Sequence, residues 1–184
     1  MAVRLTPFSF TILVLVGRGG AGPHDLRRMA EIGRVYWDAA PSQWYAEPKR
    51  LAKLGLLTAR KEPGRTRERT HYELTDAGRE AIAEWARTPA PLPRIQNEPI
   101  VRLLAADLVD PAAVLEGLRA LSAEIDAAAE GVERSRAGAG DLPARRHLLE
   151  VNHRYAERLL ALQREWLAEA EAVLSGGGDR ADVA

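Results

Sequence analysis

The stretch from Pro41 to Glu73, PSQWYAEPKRLAKLGLLTARKEPGRTRERTHYE, constrains the fold more than any other part of this chain. Pro41 to Leu54 has helical spacing, with Trp44, Leu51 and Leu54 as apolar anchors and Lys49, Arg50 and Lys53 among them. Gly55 ends that helix, because glycine adopts the left-handed conformation past a helix C-terminus at little cost. Leu56 to Glu62 reads as a strand, Pro63-Gly64 as a turn, and Thr70 to Leu74 as the returning strand. The product is a helix followed at once by a two-stranded ribbon with a basic tip.

Two shorter helices precede it. Leu5 to Gly17 opens with Thr6 as N-cap and Pro7 at the first helical position. Its expected inner face is Phe8, Ile12, Leu15 and Val16, widened by Leu13 and Val14. The β-branched residues would also suit a strand, but length and the proline start favour a helix. Arg18-Gly-Gly-Ala-Gly is a loop. Pro23 to Ile32 is the second helix, with Leu26, Met29, Ala30 and Ile32 inward, and Gly33 stops it. Tyr36 and Trp37 lie in the connection to Pro41. After the ribbon, Thr75 caps a helix running to about Arg87, with Asp76 in the first turn where the helix dipole favours a carboxylate. Three helices and a ribbon in this order form a winged helix, which offers a helix to the DNA major groove and grips the backbone with the ribbon.

Thr88 to Pro93 carries three prolines and reads as a stiff linker. Beyond it the sequence is helical. Glu98 to Leu108 is one segment. Pro111 to Val132 is a second, with a heptad stripe of Val114, Leu118, Leu121, Ile125, Ala128 and Val132. Arg136 to Asp141 reads as a loop. Pro143 to Leu174 is a third, with Leu148, Val151, Tyr155, Leu159, Leu162, Trp166, Ala170 and Val173 on one stripe, long enough to span roughly 48 Å. Two such stripes make an antiparallel hairpin. A hairpin alone has little core, so its remaining apolar surface calls for a second copy, most simply in a two-fold homodimer. The expected fold is mainly α: a winged helix-turn-helix over 1–88, a linker over 89–97, an all-helical antiparallel hairpin for dimerisation over 98–174, and a disordered glycine-rich tail over 175–184. The dimer residues expected are Leu118, Leu121, Ile125, Leu148, Tyr155, Leu159, Leu162 and Trp166.

Charge separates the same two halves. The 184 residues have zero formal net charge. Residues 1–88 hold 15 Lys and Arg against 10 Asp and Glu, and the remainder 11 against 16. A basic first half suits a polyanion and an acidic second half does not. With 46% apolar residues the chain can bury a real core, and with no cysteine it has no disulfide, thiol switch or Cys-based zinc site. His24, His71, His147 and His153 show no metal spacing. The four tryptophans read as core. No catalytic triad, phosphate-binding glycine loop or acid pair appears, so neither an enzyme nor a cofactor is expected. Phe8 to Val16 is too short for a membrane span and lacks a cleavage site after it, which makes the cytoplasm the expected location. The Ala, Arg and Gly richness suits a bacterial, GC-rich source.

The expected DNA contacts follow from position. Ser42 and Gln43 open the third helix, where glutamine can pair with adenine and serine with several bases; otherwise they cap and solvate an exposed turn. Tyr45 can reach a phosphate or pack on the ribbon. Lys49 and Arg50 are expected on phosphate. Arg65, Arg67 and Arg69 alternate through the wing tip, where arginines can hold phosphate or enter a narrow minor groove. The competing reading is a winged-helix protein-interaction module without specific DNA binding.

These pieces resemble a known family. Tyr45, Leu51, Gly55 and Leu56 are spaced as in the recognition helix and first wing strand of the PadR-type transcriptional regulators. Tyr72-Glu73-Leu74-Thr75-Asp76-Ala77-Gly78-Arg79 resembles their second wing strand and following helix, and Asn97 to Asp107 with the hairpin after it resembles the C-terminal domain of the larger members. One departure stands out: where the family commonly has leucine, three residues after the tyrosine, this chain has Pro48. A proline inside a helix costs about 3 kcal/mol unless a kink accommodates it, so the helix is expected either to bend at Glu47 or to start later. The resemblance implies a dimeric repressor on a pseudo-palindromic double-stranded operator, released in some members by a small planar or hydrophobic effector.

Overall fold

The computed structural model describes residues 4–32, 39–63, 68–93, 95–139 and 142–176. The chain is mostly helical and divides into two compact units, Met1–Leu92 and Pro93–Ala184. The first holds α1 (Pro7–Val16), α2 (Pro23–Ile32), α3 (Gln43–Lys53), β1 (Leu57–Glu62), β2 (Arg69–Leu74) and α4 (Asp76–Ala86). The second holds α5 (Glu98–Leu104), α6 (Pro111–Gly138) and α7 (Arg146–Ser175), with 3-10 turns at Ala105–Asp107 and Pro143–Arg145. No helix among the described residues is long and apolar enough to cross a membrane.

The start of α1 is fixed by a reciprocal cap. The Ser9 backbone N–H donates to Thr6 Oγ1 at 3.2 Å, and the Thr6 N–H donates to Ser9 Oγ at 2.9 Å. Two backbone donors without helical partners are thereby satisfied, which settles helix over strand. The buried face is Ser9, Ile12, Leu13 and Val16, so Leu13 takes the inner place expected for Phe8 and Leu15, which pack at the margin. The glycine run after α1 is more than a loop. Ala21 pairs with Tyr72 through two 3.0 Å backbone hydrogen bonds and adds a bridge to the ribbon. Gly20, at φ +86°, lies so close to His71 that a Cβ would collide with its ring.

β1 and β2 are antiparallel, from Leu57 opposite Leu74 to Glu62 opposite Arg69. Side chains alternate across a strand, so the face containing Leu57 and Tyr72 turns to the core and the face with Arg60, Glu62, Arg69 and His71 turns outward. The core of this unit is Ile12, Leu13, Val16, Leu26, Trp44, Leu51, Leu57 and Tyr72. Gly55, at φ +75°, carries the chain from α3 into β1 as expected.

The junction of β2 and α4 explains its own sequence. Thr75 Oγ1 accepts from the Gly78 N–H at 3.1 Å and donates to the Gly55 carbonyl at 2.7 Å, capping α4 and tying it to the α3–β1 turn. A Cβ on Gly78 would sit 2.3 Å from the Leu56 carbonyl oxygen, so the close approach admits glycine. Trp85 of α4 stacks on Phe10 of α1 at 4.7 Å.

In the second unit α6 and α7 form the expected antiparallel hairpin. Their cross-links run in opposite directions along the two helices: Arg119 with Glu171, Asp126 with Arg164, Ser135 with His153 and Arg136 with Glu157. Two boundaries differ from expectation. α6 runs on to Gly138 through the segment read as a loop, held there by Arg136, which pairs with Glu133, Glu150 and Glu157. The expected segment Glu98–Leu108 is an α-helix only to Leu104 and then tightens. The stripe on α7 also differs. The side buried within the hairpin is His153, Ala156, Leu160, Leu167 and Ala170. Of the expected stripe, only Ala170 is fully buried there; Leu159 and Trp166 are half-buried, Trp166 against Leu118, Leu167 and Ala170, while Leu148, Val151, Tyr155, Leu162 and Val173 stay exposed.

Candidate nucleic-acid interface

The two sides of α3 differ sharply. Trp44, Pro48 and Leu51 project to one side at spacings of four and three, and all are buried. Phe8 of α1 meets Trp44 edge-on, with ring centroids 4.9 Å apart. Proline thus fills an apolar, buried position on this side of the helix. The helix begins at Gln43 with Ser42 as N-cap, two residues after the expected start at Pro41, and continues through Pro48. Pro48 has no N–H to offer the Trp44 carbonyl, which leaves one rung of the helix unmade.

On the other side Ser42, Tyr45, Ala46, Lys49 and Lys53 are exposed and, with Arg50, line an open depression of about 460 Å³. No acidic residue lines it. Ser42 is exposed, and its side chain makes no capping hydrogen bond. Gln43 is exposed at the first helical position. Neither Lys49 nor Lys53 has an ion-pair partner among the described residues. Lys53, outside the expected contact set, joins Lys49 on this face; its i, i+4 spacing was the available signal.

Arg50 is placed differently. Its Nε donates to Glu47 Oε2 at 2.8 Å, and its Nη2 donates to Glu47 Oε1 at 2.6 Å and to Ser9 Oγ at 3.0 Å. Hydrogen bonding to Arg50 holds the Glu47 carboxyl below its usual range against the opposing effect of burial, with a smaller contribution from Ser9. The same bond to Glu47 raises Arg50. The Glu47–Arg50 pair is an ordinary i, i+3 contact, but the bond to Ser9 joins residues far apart in sequence, and no local pattern announces it.

On the outward face of the ribbon, cations and carboxylates alternate. Arg60 pairs with Glu73 and lies 3.8 Å from Glu62; Arg69 Nη2 lies 3.4 Å from Glu62 Oε2. Arg69 therefore stands at the root of the wing tip beside one carboxylate. Arg65 and Arg67 lie outside the described residues. Among those described, no group of three or more His, Asp or Glu side chains is placed to hold a metal.

The expected dimer residues separate into two sets. Leu118 and Ile125 are buried within the second unit, and Leu121, Leu159 and Trp166 are half-buried. Leu148, Tyr155 and Leu162 remain 57%, 52% and 60% exposed.

Comparison with known proteins agrees with this architecture. The negative transcriptional regulator PadR of Bacillus subtilis (strain 168) is 32% identical over 87 residues, which cover 46% of this chain and 47% of that protein. The match thus spans about half the length of its curated relative. The crystal structure of Bacillus subtilis PadR in complex with operator DNA superposes with a TM-score of 0.69 at 19% identity, covering 95% of this chain and 99% of that one. The same protein in complex with p-coumaric acid gives 0.60 at 18% identity, covering 92% and 97%. At these identities the structures establish the fold: a winged helix followed by a long helical region. Residues 21–84, which contain α2, α3, the ribbon and most of α4, match the Transcriptional regulator PadR-like family.

Proposed function

We propose that this protein is a sequence-specific DNA-binding repressor of transcription acting as a cytoplasmic homodimer. Each protomer lays α3 in the major groove of half a pseudo-palindromic operator and sets the β1–β2 ribbon on the adjacent backbone. A small hydrophobic or aromatic molecule releases it. The observation that carries this reading is the outer side of α3: Ser42, Tyr45, Lys49 and Lys53 exposed together on a surface lined by no carboxylate. Cations there neutralise phosphate, while Ser42 and Gln43 at the helix start are placed for base edges. The operator complex and the p-coumaric acid complex of Bacillus subtilis PadR support a DNA partner and an aromatic effector. The outward face of α7, with Leu148, Tyr155 and Leu162, supports a second copy as the surface's cover.

The test is binding to a duplex from the region upstream of the protein's own coding sequence, against a scrambled duplex, at several salt concentrations. Wild type should prefer the upstream duplex. Lys49→Ala with Lys53→Ala, and separately Arg65→Ala, Arg67→Ala and Arg69→Ala together, should bind more weakly. Each lost phosphate contact should make the plot of log affinity against log salt shallower by about 0.9. Equal affinity for both duplexes with wild-type slopes in the variants would favour a protein partner for the winged helix.

A further inference from the structure

Arg50 lines the same depression as Lys49 and Lys53, yet its chemistry is different. Among the described residues Lys49 and Lys53 carry unmatched charge that a phosphate can neutralise, whereas three of the five Arg50 donors are already committed within the protein. The Arg50 guanidinium directs Nε and Nη2 onto the two oxygens of Glu47, and Nη2 also reaches Ser9 Oγ. Its charge is matched by a carboxylate that is largely buried. Ser9 is itself fully buried and belongs to the reciprocal cap that starts α1. Thr6, Ser9, Arg50 and Glu47 therefore form one connected network joining the N-terminus of α1 to the middle of α3.

Its position on α3 matters as much as its partners. Pro48 removes the rung that would join residue 48 to the Trp44 carbonyl. Glu47 and Arg50 flank that gap, one residue before it and two after. We propose that Arg50 is a positioning residue: it braces the reading helix across its proline and fixes the direction in which Ser42, Gln43 and Tyr45 project. This inference rests on the DNA-binding reading above, with phosphate neutralisation on α3 assigned to Lys49 and Lys53.

The two roles predict opposite results for one substitution. In Glu47→Gln the acidic partner is gone. If Arg50 served phosphate, its release would tighten binding and steepen the salt dependence by about 0.9. If it braces the helix, binding weakens with no change of slope. Arg50→Lys separates the roles again. A lysine keeps the charge that a phosphate needs but cannot form the bidentate fork to Glu47 while reaching Ser9.

The experiment measures full-length wild type, Glu47→Gln, Arg50→Lys and Lys49→Ala on the upstream duplex across a salt series. Amide hydrogen exchange over residues 43–49 is followed in the same proteins without DNA. Glu47→Gln and Arg50→Lys should each weaken binding about tenfold, as expected for losing a charged hydrogen bond, with the wild-type slope and several-fold faster exchange over 43–49. Lys49→Ala should show the reverse: a shallower slope and unchanged exchange. Tighter binding by Glu47→Gln, wild-type affinity in Arg50→Lys, or unaltered exchange in both variants would overturn the proposal. If wild type fails to distinguish the upstream from the scrambled duplex, the DNA reading falls, and the brace stands or falls on the exchange data.

Discussion

The two units of this chain treat their large apolar side chains in opposite ways. The N-terminal unit encloses most of them: Ile12, Leu13, Val16, Leu26, Trp44, Leu51, Leu57 and Tyr72 are buried in one cluster, while Tyr45, Trp85 and Leu92 are exposed. The C-terminal unit leaves many outside. Leu104, Leu148, Val151, Tyr155, Leu162 and Val173 are all more than half exposed, and its central cluster is Leu118, Leu167 and Ala170. One unit completes its core within a single chain. We propose that a second copy covers the apolar side chains the other leaves outside, since large exposed apolar surface often marks a partner site. Stability in the first unit should therefore be a property of the chain, and in the second a property of concentration.

The sharpest way to break that contrast is a matched pair of leucines. Leu51→Ala removes a fully buried side chain and should cost about 3 kcal/mol in denaturant unfolding, at any protein concentration. Leu162→Ala should change the stability of dilute protein by less than about 0.5 kcal/mol. If Leu162→Ala costs as much as Leu51→Ala in dilute solution, the two units do not differ in kind.

Next in size is the association itself. Tyr155→Glu with Leu162→Glu places two carboxylates on the outward face of α7. The paired substitution should raise the dimer dissociation constant by about a hundredfold, as for loss of a hot spot, in sedimentation equilibrium. A dimer of unchanged strength would move the interface away from this face.

The same contrast explains how much could be read without coordinates. In the N-terminal unit local signals agree with one another. Thr6-Pro7, Gly55 and Thr75 mark the helix ends that the structure shows, because caps and left-handed glycines are decided within a few residues. The ribbon strands lie within one residue of their expected limits. In the C-terminal unit the existence of both long helices was legible, but the packed face of α7 was not. Leu148, Tyr155 and Leu162 make the stronger stripe by size. Ala156, Leu160, Leu167 and Ala170 make the one that fits against α6, because smaller residues let the helices approach. Periodicity reports that a helix has an apolar face and does not say which neighbour will cover it. The network of Ser9, Glu47 and Arg50 was invisible for a related reason: it depends on α1 and α3 meeting.

A smaller effect sharpens the comparison through two glycines. Gly78→Ala would place its Cβ 2.3 Å from the Leu56 carbonyl oxygen, and backbone cannot move aside cheaply. It should destabilise the N-terminal unit by about 2 kcal/mol. Gly117, on the exposed side of α6, would meet only the end of the Arg102 side chain at 3.5 Å. Gly117→Ala should stabilise α6 by about 0.5–1 kcal/mol, the ordinary gain in a helix interior. Equal responses in thermal melts would mean that the turn at Leu56 can yield.

The smallest effect compares an arginine–glutamate pair from each unit. Hydrogen bonding to Arg50 lowers the Glu47 carboxyl, and hydrogen bonding to Arg136 lowers that of Glu157. In each case the native carboxyl holds its proton less tightly than the unfolded one. The stabilisation is therefore present above the unfolded-state value and is lost as pH falls through the native one. Replacing either glutamate with glutamine should cost stability at neutral pH, and the cost should vanish on acidification below the usual carboxylate range. Salt separates the pairs. Glu157 and Arg136 are joined at 2.5 Å, with the Glu157 side chain far more open to solvent than that of Glu47, so that ions reach and screen the pair. Glu47 is largely covered, and Arg50 extends its hold to a buried serine. At about 1 M salt, where screening acts within roughly 3 Å, the penalty of Glu157→Gln should disappear and that of Glu47→Gln should persist. Equal loss of both penalties would reduce the Arg50 network to a surface ion pair and remove the main physical difference between these two contacts.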